Sequence, residues 1–369
     1  MRFGADVADA LPILVGAFVV AALVSLVLTP LVRRVAARFE VVDHPDPRRV
    51  NRRPVPRGGG IAVAAAFVPV SIGAVVLVVQ AGVPLPPGFD GPALIALLAG
   101  AVAAAMIGAI DDYLQIRARW QLAGQVALAC WAVVVGVSVT QIANPFGGLI
   151  MLGAGLGAVF TVVWIVGMIN SINFIDGLDG LSSGVTMIAA VTLGVISLTT
   201  TVNQPVVAVL CFALAGALAG FLRWNFHPAT ILVGTSGVML MGYSLAILSI
   251  LGTAKVAVAV LALGVPIIDT FWIIVRRILS RRSPFSPDRG HIHHRLLDLG
   301  LSHTQAVVAI YGLCIALAVL SLVLSGSGQV YAFLGVFLVL GVTVFILARR
   351  SLRAEELEAS SYEEPTSAG

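Results

Sequence analysis

The sequence predicts an all-α, polytopic membrane protein with about eleven transmembrane helices, its N-terminus outside and its C-terminus in the cytoplasm. Three observations carry that prediction. Of 369 residues, 59% are hydrophobic and only 11% charged, too few charges for a soluble globule. The apolar residues fall into runs of about 17–22, the length that crosses hydrocarbon. The basic residues are confined almost entirely to alternate loops between those runs.

Taken in order, the first run, 11–32, has neither a basic leader nor a small-residue cleavage site, and an arginine-rich loop follows it, so it reads as a retained span rather than a signal peptide. Runs 60–80 and 92–110 come next, the third ending at Asp111-Asp112. Run 122–140 is apolar throughout, and 151–169 is weakened by glycine. Runs 183–201 and 206–222 flank a short connection, and the eighth, 237–251, is the shortest. Runs 256–275, 307–324 and 330–348 complete the set. Residues 1–350 thus form one integral membrane domain. Residues 351–369, with five glutamates from Glu355 onward, read as a disordered cytoplasmic tail.

Lys and Arg are retained on the cytoplasmic side. Loop 33–57 holds eight, 111–121 two, 276–305 six and the tail three; with Arg223, twenty of the 22 basic residues lie on one side, Arg2 and Lys255 being the exceptions. An odd number of spans places the two termini on opposite sides, in agreement with that count. Arg33, Arg34, Arg276 and Arg277 read as topology anchors. Cys130, Cys211 and Cys314 fall inside spans without paired spacing and suggest neither a disulfide nor zinc.

The same threading puts every polar cluster on the cytoplasmic face: Asp111-Asp112, the segment 173–184 with Asp176 and Asp179 among glycines, 225–236, and His291, His293 and His294. A carboxylate near the bilayer costs roughly 2.5 kcal/mol or more unless it lines a wet cavity or binds a cation. Glycines let backbone approach a ligand closely. Asp111-Asp112 alone could be a solvated helix end; Asp176 and Asp179 in their glycine setting are harder to explain that way. Paired carboxylates, amide ligands and a histidine cluster facing basic loops suggest a hard cation with a phosphorylated partner, because magnesium takes oxygen ligands and bridges carboxylates to phosphates. The substrate is cytosolic, with a membrane lipid reached laterally, and no nucleic-acid partner is expected. Asp269, about two turns inside the ninth run, also admits a transporter, although no inverted repeat accompanies it.

Ordered motifs over nearly the whole chain resemble the polyprenyl-phosphate N-acetylhexosamine-1-phosphate transferases (glycosyltransferase family 4), which include the phospho-MurNAc-pentapeptide translocase. They are Val42-Asp43-His44-Pro45 with Pro56-Arg57-Gly58-Gly59-Gly60; Gly108-Ala109-Ile110-Asp111-Asp112; Asn173 to Gly184; Asn225-Phe226-His227-Pro228-Ala229; Pro266-Ile267-Ile268-Asp269-Thr270; and His291-Ile292-His293-His294-Arg295-Leu296-Leu297. The last looks most like the undecaprenyl-phosphate GlcNAc-1-phosphate transferase branch. The resemblance implies transfer of a sugar 1-phosphate, on that branch N-acetylglucosamine 1-phosphate, from a UDP-N-acetylhexosamine to a polyprenyl phosphate. UMP is released, and cell-envelope polysaccharide synthesis begins. It also implies a bacterial plasma (inner) membrane location, an active site facing the cytoplasm, Mg2+ as cofactor with Mn2+ as a substitute, and compatibility with a homodimer. By the same resemblance Asp111, Asp112 and Asp176 are catalytic, Asp111 handling the proton of the lipid phosphate. Asn173, Asp176 and Thr235 fall at metal positions, and Asp179, Asn225, Arg49, His291, His293 and His294 at substrate-binding ones.

Four positions depart from the family pattern. Thr235 stands where a metal-binding aspartate is usual, Leu232 where an aromatic packs on the base, and Arg49 and Asn51 where lysine and histidine are usual. A hydroxyl is a poor substitute for a carboxylate on magnesium. The alternative function is therefore a catalytically degenerate paralogue that binds prenyl phosphate or nucleotide-sugar, or acts as a scaffold.

Overall fold

A computed structural model of the chain describes residues 7–43, 54–85, 89–144, 146–251, 255–279, 291–324, 327–339 and 341. Helices dominate: α1 (Val7–Arg38), α2 (Gly60–Gln80), α3 (Gly91–Leu114), α4 (Ala118–Val134), α5 (Ala154–Ile175), α6 (Leu181–Ser197), α7 (Pro205–Asn225), α8 (Gly234–Ile250), α9 (Lys255–Ala262), α10 (Gly264–Leu279), α11 (Ile292–Asp298) and α12 (His303–Val323), followed by α13 (Ser327–Val339). An apolar chain in hydrocarbon must satisfy its backbone internally, and a helix does so within one segment.

Six of these helices, α1, α2, α3, α5, α7 and α12, are long and apolar enough to cross a membrane. A bent pair, α9 with α10, raises the number to seven, and α6, α8 and α13 are shorter apolar helices. The chain is a multi-pass membrane protein. The eleven continuous spans read from the sequence do not all appear as such: the ninth run, 256–275, is two helices bent by 78° around Leu263. Two small antiparallel hairpins interrupt the all-α expectation, β1 (Val42–Asp43) with β2 (Val55–Pro56), and β3 (Gln141–Ala143) with β4 (Leu149–Met151). The expected tail, 351–369, and the loop holding Arg49 lie outside the described residues.

The core centres on α7 and α8. Helix α7 packs against α1, α2 and α6, and α8 against α3, α5 and α2. On α7, a Cβ at Gly216 would stand 2.2 Å from the Phe18 carbonyl oxygen, and one at Gly220 2.1 Å from that of Ala22. These small residues let the α1 and α7 backbones touch, which is how membrane helices gain packing energy where lipid is as apolar as leucine. On α1, Leu14, Ala17 and Ala21 are buried, while Val15, Val19, Leu23, Val27 and Leu31 are exposed, a stripe at helical spacing for the lipid. Trp224, at the end of α7, donates to the Leu26 carbonyl at 3.0 Å, and the guanidinium groups of Arg33 and Arg223 lie 5.7 and 5.4 Å over its ring. Two basic residues that the charge count assigns to one side thus sit at one end of the bundle.

Candidate active site

At that end the helix termini converge. The 58–60 turn is laced to the segment before α8: the amides of Gly59 and Gly60 donate to Leu232 and Val233 carbonyls at 3.0 and 2.9 Å, and Leu232 donates to Pro56 at 2.8 Å. Added Cβ atoms at Gly60 and Gly108 would fall within 2.4 Å of the 235–237 backbone, so these glycines allow the start of α8 to enter between α2 and α3. Asp112, buried on the last turn of α3, receives Thr235 N–H at 2.8 Å and Ser236 N–H at 3.0 Å. It caps the first turn of α8, where orphan amides and the helix dipole favour an anion. Its neighbour Asp111, also buried, accepts from Ile116 N–H at 3.1 Å across the left-handed turn at Gln115. A carboxylate at a helix C-terminus sits against the unfavourable end of the dipole, so capping does not account for Asp111.

The second group hangs from α5. That helix runs to Ile175, past the expected boundary at 169, so Asn173 is on its last turn and Asp176 terminates it. Asp176 accepts the Ser182 hydroxyl at 2.6 Å. Burial pushes its carboxyl up to about 6, opposed by the Ser182 hydrogen bond and the Arg57 charge and reinforced by the carboxylates of Asp112 and Asp179. Asp179 is buried and accepts from His227 Nδ1 at 2.8 Å and from Ala229 N–H at 3.0 Å. Asn225 takes the Ser183 hydroxyl at 2.9 Å and donates to the Ile231 carbonyl at 3.1 Å, so both ends of its side chain serve as a strut between α6, α7 and the segment before α8.

The histidines close the site. Asp269, on α10, holds His291 Nδ1 at 2.8 Å with one oxygen and Ile292 N–H at 3.0 Å with the other. This buried pair fixes the start of α11 and orients the imidazole, so Asp269 has a local role that the transporter reading does not need. His293 is almost fully buried, its Nε2 only 2.1 Å from where a Cβ at Gly177 would lie. Burial holds its basicity well below the usual histidine value, with His294, His291 and His303 adding to the effect; it is a neutral imidazole near pH 7. The rings of His291, His293 and His294 form a row with centroid separations of 5.4 and 4.4 Å. Phe174 packs 5.8 Å from His291, and the Arg277 guanidinium lies 5.7 Å over Phe174. Arg277, read from the sequence as a topology anchor, is buried beside the site.

The structure thus brings Asp111, Asp112 and Thr235 to one junction, and Asn173, Asp176, His291 and His293 to another, with Arg57 acting on both Asp112 and Asp176. Arg49 lies outside the described residues. Arg57, Ser182, His227, Asp269 and His303 were not singled out as site residues in the sequence. Of these, Asp269 carries the strongest signal, a carboxylate in an apolar run, and Arg57 lies within a glycine motif.

Asp176 accepts Ser182 on Oδ1, and among the described residues no hydrogen bond reaches Oδ2. Asn173 and Thr235 are half-buried. These are oxygen donors of the kind magnesium takes, with one carboxylate fewer than a charge-rich site.

A family model described as glycosyl transferase family 4 matches residues 94–253. The chain is 34% identical over 341 residues to a probable undecaprenyl-phosphate N-acetylglucosaminyl 1-phosphate transferase of Bacillus subtilis, covering 91% of each chain. It is 35% identical over 363 residues to a decaprenyl-phosphate N-acetylglucosaminephosphotransferase of Mycobacterium tuberculosis, covering 89% of this chain and 88% of the relative. A phospho-N-acetylmuramoyl-pentapeptide-transferase of Desulforudis audaxviator is 30% identical over 346 residues, covering 86% of this chain and 100% of its own.

Proposed function

This chain belongs to glycosyl transferase family 4 and is an enzyme, and from that premise we propose that it transfers N-acetylglucosamine 1-phosphate from UDP-N-acetylglucosamine to a polyprenyl phosphate, releasing UMP and initiating cell-envelope polysaccharide synthesis. The supporting observation is that Asp112 and Asp176 lie close enough for their carboxylates to act on one another, with Asp111 next to Asp112 in the chain and His293 packed on Gly177 beside Asp176. In this reading an oxygen of the lipid phosphate attacks the β-phosphorus of the donor, the bond to the α-phosphate oxygen breaks, and UMP leaves.

Asp111 is the group whose carboxylate no helix cap explains, and we assign it the proton of the lipid phosphate. His291, held by Asp269, presents Nε2 to a diphosphate oxygen, an interaction that needs no permanently buried charge. His293 stays neutral and lines the same wall. Asn173, Asp176 and Thr235 would hold magnesium, or manganese in its place, and the ion would neutralise charge developing on the phosphates. Asp179, Asn225 and Arg49 are assigned to the nucleotide-sugar side.

The same proposal places the protein in a bacterial plasma membrane with eleven spans, the N-terminus outside, and the site and tail facing the cytoplasm, because twenty of 22 basic residues fall on that side. A homodimer is compatible with it. Thr235 favours a second reading, a degenerate binder that takes up substrate without turnover. Purified protein assayed with UDP-N-acetylglucosamine, UDP-N-acetylgalactosamine and UDP-MurNAc-pentapeptide separates the two. The proposal expects lipid-extractable product chiefly from the first; binding without product from any donor, at any magnesium or manganese concentration, supports the binder.

A further inference from the structure

Outside the assigned catalytic group, Asp179, His227 and His303 each point one potential ligand atom into a common space, these atoms all lying within 4.8 Å of one another. They come from three separate elements: the turn after α5, the segment after α7, and the first turn of α12. His227 Nδ1 already meets Asp179 Oδ2 at 2.8 Å, and Ala229 N–H donates to the same carboxylate oxygen at 3.0 Å. His303 supplies the independent observation. It is 92% buried, and neither of its ring nitrogens is hydrogen-bonded to a side chain among the described residues, although an imidazole always carries a donor or acceptor to satisfy. Its ring lies 4.1 Å from that of His227, nearly parallel.

We propose that Asp179, His227 and His303 form a second metal site, selective for a zinc-type ion and distinct from the magnesium position. Two imidazoles and one carboxylate suit zinc and its neighbours rather than magnesium, which prefers oxygen alone. Bonds of about 2.0–2.1 Å to a tetrahedral ion put ligand atoms about 3.3 Å apart, so from separations of at most 4.8 Å the three groups need to close by up to about 1.5 Å. The stacked rings reach that arrangement by rotating about χ2, a soft torsion. Ala229 N–H already fixes the carboxylate, as outer groups do at built metal sites. The ion would leave one coordination position open and join the 176–180 turn, the 226–229 segment and α12 at one point. The inference takes Asp179 from the nucleotide-sugar side and leaves the rest of the transferase reading as it stands.

The test uses full-length, tag-free protein stripped with chelator and reloaded with zinc or cobalt alone. One equivalent of zinc is expected to survive gel filtration, and cobalt to give the visible bands of a four-coordinate ion without thiolate charge transfer. His303→Ala and His227→Ala should each weaken zinc binding tenfold or more, whereas His293→Ala should keep one equivalent. Zinc retention unchanged in His303→Ala, or lost in His293→Ala, would move the metal to the other histidine row and overturn the assignment. If His303→Ala does not fold, His303→Gln and the wild-type cobalt spectrum decide: an octahedral spectrum, or no retained metal, refutes the site.

Discussion

Replacing Asp112 should loosen the first turn of α8 before it does anything else. Asp112 is 4% exposed and receives two backbone amides, Thr235 at 2.8 Å and Ser236 at 3.0 Å. Hydrogen bonds to a charged acceptor contribute about 1.5–3 kcal/mol each, and a buried amide left without a partner costs about 1–3 kcal/mol. Burying the carboxylate offsets part of this gain. Asp112→Ala should therefore destabilise the α3–α8 junction by about 2–4 kcal/mol. Asp112→Asn keeps one acceptor but turns an NH2 toward the other amide, and should cost about 1–3 kcal/mol. Amide hydrogen exchange in peptides covering 234–240 reads this locally: 2 kcal/mol corresponds to roughly 30-fold faster exchange. The thermal midpoint in detergent should fall in the order wild type, Asp112→Asn, Asp112→Ala. An Asp112→Ala protein with unchanged exchange in that segment and unchanged midpoint would refute the capping role and return Asp112 to the chemistry alone.

Asp111→Asn should lower turnover by about 10²–10⁴ while nucleotide binding, read by calorimetry, stays near wild type; full activity would remove Asp111 from the chemical step. Thr235→Asp places a second carboxylate beside Asp112, so the variant should be less stable than wild type without magnesium, recover stability with it, and need less magnesium for turnover; a metal requirement unchanged or worsened would put the ion elsewhere. For His293, burial favours the neutral ring, so the unfolded chain takes up a proton that the folded one does not, and stability declines as pH falls through about 6.5. His293→Gln should flatten that acid limb in a midpoint-versus-pH series, and an unchanged limb would assign the effect to another group. Cysteines introduced at Arg48 and Ser283 should resist an impermeant thiol reagent in intact cells; labelling of either would overturn the orientation.

Much of the site was legible because charge in an apolar chain is conspicuous. Asp111, Asp112, Asp176 and the three histidines needed only their surroundings to stand out, and the structure gathers them. The boundaries were less legible. Hydropathy ends a span where polar residues begin, whereas backbone hydrogen bonding carries α5 on through Asn173 and starts α8 at Gly234, so residues read as loop are helix termini. The break at Leu263 and the two hairpins leave no hydropathy signature, since a bent apolar helix and a straight one have the same composition. Asn225 is placed on the nucleotide side by the resemblance alone; what no sequence pattern announces is that its side chain is also tied to Ser183 and Ile231. His303 and His227, apart in sequence, become a pair only when α12 folds back on the end of α7.

The proposal that the sugar moves together with its phosphate is tested most directly with a donor carrying radiophosphorus in the β-position and tritium in the sugar, incubated with purified protein, magnesium and polyprenyl phosphate. The account predicts that both labels enter the lipid fraction in equal molar amounts, with unlabelled UMP released in the same amount. Tritium without radiophosphorus in the lipid, with labelled UDP in the aqueous phase, would show simple glycosyl transfer and contradict it.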